Sequence, residues 1–394
     1  MAHRSIDSGY DGDMSPRTTP APSEFPGRLA EARSSGGVRF DLTEADPERC
    51  ELSWDPLELQ AILAARPPAA PGAAPAGLPE ARDAVASYLA GKGASVAPEH
   101  VLFAGSRRAS HRLALEAVSD PGDDVLVPAP ARPFLEPRDA PAGVRLLPYR
   151  LIFEGSWRLD RRSIQRALTA RTRAIVVGNP ADPTGALLSG EELTFLEALC
   201  AERGLALVGD EGSLEAAGPG PSTTVARASR CVAIHLAGVP GVCGLREVPV
   251  EWVALAGPEP LVQGALARTS SRAGGEAAPA LGAIPALLAR REPFLAALRA
   301  RLAVNRAAIA TASLREAPWT LQWGGGGCWA VLQINPVQDE DVLCVSLLRR
   351  GLAVQPGYLD GLPRKGYLVV SLLPEPPLFA EALRLLEAAL REQL

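Results

Sequence analysis

Residues 174–211 read AIVVGNPADPTGALLSGEELTFLEALCAERGLALVGDE, and this stretch decides the fold. Ala174–Gly178 is a short run rich in Ile and Val that stops at Asn179-Pro180, and Pro183-Thr184-Gly185 supplies a tight turn. Ser189 and Glu192 stand at the spacing of a capping box, in which a hydroxyl and a carboxylate each satisfy a free backbone N–H at a helix start. Leu193, Leu196, Ala198 and Leu199 follow at helical spacing, and Gly204 supplies the stop. Leu205–Val208 is then an unbroken apolar strand that delivers Asp210 and Glu211 at its carboxyl end. A strand-helix-strand unit implies a right-handed crossover in a parallel sheet, and such sheets bind ligands beyond the carboxyl ends of their strands. Asp210 is thereby placed where a cofactor would sit.

Outward from this unit the same patterns continue. Pro26–Arg33 is a short helix candidate, Val38–Leu42 begins the folded body, and the Ala/Pro/Gly run Pro67–Pro79 is a loop. An amphipathic helix spans Leu78–Lys92 and a strand Val101–Ala104, after which Gly105-Ser106-Arg107-Arg108 opens the helix His111–Val118. Val125–Pro128 is a strand ending near Arg132, and Cys231–Leu236 and Glu251–Ala256 are strands that flank the segment Ala237–Pro249. Ala277–Leu314 is mostly helical, with Arg290, Arg291, Arg299, Arg301 and Arg306 read as a solvated face. Strands at Cys328–Gln333, Leu352–Val354 and Tyr367–Leu372, with helices at Asp339–Arg350 and Pro377–Arg391, complete a terminal domain; Gly324–Gly327 is a hinge or turn, since it lacks the strand-then-helix context of a nucleotide loop. The expected organisation is a flexible arm over 1–22, an N-terminal part of a small domain over 23–74, a large α/β domain over 75–285, and the C-terminal α+β small domain over 286–394.

With 394 residues, a net charge of -5 and a pI near 5.6, the chain gives no reason to expect nucleic acid or a membrane surface as partner. No apolar run approaches the roughly 20 residues of a membrane span and the N-terminus has no apolar signal core, so a cytoplasmic location is expected. The 6 cysteines lack C-x-x-C spacing and are expected to be reduced core thiols, with no metal site. His111 and His235 are read as core or helix-surface histidines. The chain contains only two lysines, Lys92 and Lys365.

Asn179-Pro180-Ala181-Asp182-Pro183-Thr184-Gly185 followed by Asp210-Glu211 resembles the class I/II aminotransferases, pyridoxal-phosphate (PLP) enzymes of fold type I. Gly77–Arg82, Pro121–Val125 and Gly366–Pro374 are similar to further family segments in order, so the likeness runs from about Arg39 to the C-terminus. The resemblance implies a large domain with a mostly parallel sheet sandwiched by helices, a smaller α+β domain, and a dimer with its site at the subunit boundary. It further implies a Ser106 phosphate cup at a helix N-terminus and an Asp210 that pairs the cofactor's pyridine nitrogen.

The chain departs from the family where the chemistry lies. A lysine must hold the PLP aldehyde and move the substrate proton. The matching segment, Leu236–Arg246, puts Gly241 at that position in one register and Gly238 in the other, with Pro249 or Arg246 at the phosphate cation. The ring-contacting Asn is Asp182, an expected aromatic is Ser213, another is Arg132, and the last-strand Arg is Val369. These departures imply a relative that has lost Schiff-base catalysis, holds no covalent PLP and binds the cofactor weakly or not at all. Such a pseudoenzyme would pair with itself or with an active paralogue. Two alternatives stand beside this: a repurposed pocket in which Arg107, Arg108, Arg132 and Arg246 hold a small anionic ligand, and lysine-independent PLP chemistry.

Overall fold

The computed structural model describes residues 23–65, 78–132, 140–217, 223–269, 278–315, 317–335, 340–363 and 366–392. The expected arm over 1–22, most of the Pro67–Pro79 loop and Lys365 lie outside them. Strands in chain order are β1 (Phe40–Asp41), β2 (Val101–Ala104), β3 (Asp124–Ala129), β4 (Arg145–Phe153), β5 (Trp157–Leu159), β6 (Thr172–Gly178), β7 (Ala206–Asp210), β8 (Ala233–Gly238), β9 (Glu251–Ala256), β10 (Trp319–Gln322), β11 (Trp329–Ile334), β12 (Leu352–Ala353), β13 (Gln355–Pro356) and β14 (Tyr367–Ser371). Helices are α1 (Phe25–Ser34), α2 (Pro56–Ala64), α3 (Pro79–Ala90), α4 (Arg107–Val118), α5 (Arg161–Ala167), α6 (Gly190–Arg203), α7 (Val239–Val242), α8 (Glu259–Thr269), α9 (Ile284–Arg290), α10 (Glu292–Leu314), α11 (Glu340–Arg349) and α12 (Pro376–Arg391).

The central sheet runs β2-β9-β8-β7-β6-β3-β4-β5. β3, β4, β6, β7 and β8 pair in parallel; β9 is antiparallel to both β2 and β8, and β5 to β4. The quoted unit folds as read: β6, then α6 closed by the Ser189–Glu192 capping box and by Gly204 at φ 64, then β7. Successive side chains on each strand face opposite ways. Ile234, Leu236, Val253 and Leu255 therefore join the face covered by α4 and α8, while Ala233, Ala237, Trp252 and Ala254 join the larger core on the other face. Each such fully buried large apolar side chain contributes about 1.5–3 kcal/mol relative to exposure. A four-stranded antiparallel sheet, β10-β11-β14-β13, forms the smaller domain with α10 and α12, and the short parallel pair β1-β12 ties the N-terminal segment to it.

Three differences from the sequence reading have clear causes. Helix α4 begins a turn earlier than His111, because Ser106 accepts a hydrogen bond from the Ala109 N–H at 3.2 Å and caps it there. The strands β4 and β5 were not expected; Pro148 and two arginines break the apolar signature of β4. The arginines of 278–314 are not simply solvated. Arg299 reaches Glu215 at 3.0 Å, Arg301 donates to the Cys50 and Leu373 carbonyls, and Arg306 donates to those of Ala216 and Gly327. They tie α10 to loops that a helix-face reading cannot see.

Candidate functional site

A cavity of about 410 Å³ opens beyond the carboxyl ends of the parallel strands, between the two domains. It is walled by the start of α4, the 179–185 turn, the end of β7, the Gly238–Glu251 region and, from the other side, by Phe294, Leu298, Cys328, Trp329 and Leu373. Because side chains alternate, the two acids that end the 174–211 stretch part company there.

Asp210 faces the cavity. The Arg107 guanidinium bonds its carboxylate, and His111 Nε2 lies 3.4 Å from it. Burial alone would raise the Asp210 pKa, but Arg107 and His111 outweigh it and hold the group well below the usual carboxylate range. Asp210 in turn raises the Arg107 pKa. Glu211 points into the core, where it accepts from Asn179 at 2.7 Å, from the Val225 N–H at 3.0 Å, from Thr224, and bonds His235 Nδ1. Both His235 and Glu211 are fully buried. Burial pushes Glu211 up and these donors bring it back below its ordinary value.

The remaining candidates lie as follows. Ser106 caps α4 at the cavity wall, and Ser213 lines it beside Gly212. Arg132 sits over the Trp329 ring at 4.1 Å, with Nε 2.8 Å from Asp360 and Nη1 3.4 Å from Asp182. Burial lifts the Asp182 pKa to about 6 against the opposing pull of Arg132, and its Oδ1 has no hydrogen-bond partner. Arg246 lines the rim, largely exposed, 3.9 Å from Asp46. Arg108 is exposed and is not part of the wall. Val369 is buried in β14.

Gly241 lines the cavity, Gly238 lies beside the lining residue Ala237, and neither glycine has room for a side chain. A Cβ at Gly238 would lie 2.6 Å from the Val250 carbonyl oxygen and nearer still to the Glu251 carboxylate; at Gly241 it would lie 2.7 Å from the Gly212 carbonyl carbon and nearer still to its oxygen. No lysine among the described residues lines the cavity. Lys92 is held 2.8 Å from Glu215, which also takes Tyr88 and Arg299. Among the described residues no group of three His, Cys, Asp or Glu side chains is placed to hold a metal, and no helix is long and apolar enough to cross a membrane. The cysteines are free, five of them buried.

Residues 59–226 match the family model of aminotransferase class I and II. An aspartate/prephenate aminotransferase of Thermus thermophilus is 36% identical over 141 residues, 35% of this chain and 36% of that protein, so the chain spans about a third of the length of that relative. In structure, an alanine aminotransferase from Pyrococcus furiosus superimposes with a TM-score of 0.82 at 21% identity, covering 95% of this chain and 100% of that one. A Thermus thermophilus aspartate aminotransferase mutant does so with 0.78 at 23% identity, covering 94% and 97%. At these identities the structural likeness is one of fold. Over residues 59–226 the chain carries the class I and II aminotransferase pattern, and beyond them the likeness is one of fold.

PLP is the cofactor of that aminotransferase family, and the fold described above is its fold-type I architecture. Several cavity residues escaped a reading guided by the family pattern. Glu251, buried in β9 opposite Gly238, faces the cavity with a pKa that burial, then Asp210, push up to about 8. A carboxylate opening the otherwise apolar EWVALA strand was the available signal. Asp360 and Trp329, which hold Arg132, come from the small domain, and no local pattern links them to it.

Proposed function

We propose that this chain is an aminotransferase relative that no longer performs Schiff-base catalysis and serves as a non-catalytic partner or regulatory subunit, as a homodimer or beside an active paralogue. One observation carries the reading: the two positions that could have borne the lysine are glycines around which the backbone and the Glu251 carboxylate have closed. A lone lysine loss could leave the rest of a PLP site intact. Here Arg107 also sits on the carboxylate that would meet the pyridine nitrogen, and Asp182 sets a further acid in the wall. Residues so arranged do not fit a covalently held PLP, and they weigh equally against lysine-independent PLP chemistry.

The test is to add PLP to the purified chain, record the visible spectrum before and after borohydride, and map any pyridoxylated peptide. No reducible band and no labelled lysine are expected. A reduced adduct on Lys92 or Lys365 overturns the proposal. Purification from the native host then distinguishes the roles: a second aminotransferase chain in stoichiometric amount supports the partner version, and a lone homodimer excludes it.

A further inference from the structure

The arginines made an anion the natural occupant of this cavity, yet the charges do not balance that way. Arg107 is neutralised by Asp210, and Arg132 by Asp360 and Asp182. Glu251 is 93% buried and lines the cavity with no side-chain donor within hydrogen-bond reach of its carboxyl, Arg107 and Asp210 being its charged neighbours; Asp182 Oδ1 lines the same cavity, buried and unpartnered. A buried acceptor without a donor is costly to keep, so Asp182 Oδ1, in the same cavity as a carboxyl that no donor meets, marks a place where a donor is missing.

We propose that the cavity binds a small organic amine without a carboxylate, whose ammonium is received by Glu251 and whose remaining donors reach Asp182. This rests on the preceding reading, because the space involved is that of the absent lysine: the Glu251 carboxylate packs against the bare Cα of Gly238. Ala237, Pro240 and Trp329 offer an apolar wall for the ligand's carbon body. The ionisable groups facing this end are Arg107 and His111 from α4, Asp210 from β7, and Arg246 from the segment before β9. With Glu251 pushed up to about 8, the carboxyl is protonated at neutral pH, so receiving an ammonium expels one proton to solvent. Amine affinity therefore rises with pH, roughly tenfold per unit up to about pH 8.

The test is calorimetric titration of the full chain with 1,4-diaminobutane and n-propylamine, and separately with inorganic phosphate and succinate, at pH 6.0, 7.0 and 8.5. Saturable amine binding that strengthens with pH is expected, with Glu251→Gln weakening it at least tenfold and flattening the pH dependence, and Asp182→Asn weakening it less. Binding of phosphate or succinate without amine binding overturns the inference, as does an amine affinity unchanged by both substitutions. If Glu251→Gln does not fold, the pH profile of the unaltered chain and Asp182→Asn decide, and a flat profile overturns it. A borohydride-trapped pyridoxyl-lysine would instead sink the non-catalytic reading; amine silence without such an adduct sinks this inference alone.

Discussion

Two clusters of acids lie within a few residues of each other and have opposite characters. Around Glu211, a carboxylate with no exposed surface meets Asn179, Thr224, Val225 and His235, and both its oxygens are satisfied. Around Asp210, carboxyls outnumber their partners: Arg107 covers Asp210, Glu251 lines the cavity, and one oxygen of Asp182 has no partner. The first cluster pins β6, β7 and β8 together and belongs to the scaffold. Every hydrogen bond there is kept because losing any one strands a buried group. The second cluster lies beyond the carboxyl ends of the parallel strands, where its acids border a cavity rather than a packed core.

This contrast can be broken by substitution. Glu211→Ala should cost about 3–5 kcal/mol, read as a shift in denaturant midpoint, because it leaves a buried histidine, amide, hydroxyl and backbone N–H without their acceptor. A loss below about 1 kcal/mol would erase the distinction between the clusters. Gly241→Ala should be destabilising toward the upper end of the about 1–3 kcal/mol typical of overpacking, since its Cβ runs into the Gly212 carbonyl; a neutral result would reopen room for a side chain there.

The pH dependence sharpens the same comparison with its sign. Glu251 and Asp182 have folded pKa values near 8 and 6, above their unfolded values, so the folded state binds more protons between about pH 5 and 8. Stability then falls as pH rises through that window, by about 2–3 kcal/mol between pH 6 and 8, and Glu251→Gln should remove most of the slope. Asp210 and Glu211 have depressed values, so their contribution is present at neutral pH and is lost only on acidification below about pH 4. Urea melts across pH 3–9 separate the two windows. The smallest effect should come from Asp210→Asn, under about 1 kcal/mol in the same melts, because the freed Arg107 side chain is 56% exposed and water replaces its partner.

Much of the fold was legible because its signals are local. The capping box, Gly204 and the Ile/Val runs fix β6, α6 and β7 without reference to anything distant. The site was legible only in part. The family resemblance singles out Gly241 and Gly238, but that the Glu251 carboxylate packs against Gly238 depends on the register of β8 against β9, and that Arg132 is spoken for depends on Asp360, 228 residues away. The family resemblance placed arginines in the pocket; pairing across the fold, which no linear pattern encodes, sets acids against Arg107 and Arg132.

The Gly324–Gly327 run sits on the Pro183-Thr184-Gly185 turn, with the Gly324 and Gly326 amides donating to the Thr184 and Gly185 carbonyls at 3.0 and 2.9 Å. Side chains are shut out of this seam: a Cβ at Gly324 would lie 2.6 Å from the Gly185 oxygen. Because the run leads into β11, any swing of the small sheet must carry the Asp182 turn with it or unzip that seam. The wall of the pocket that carries Asp182 is therefore latched to the small domain and cannot shift independently of it.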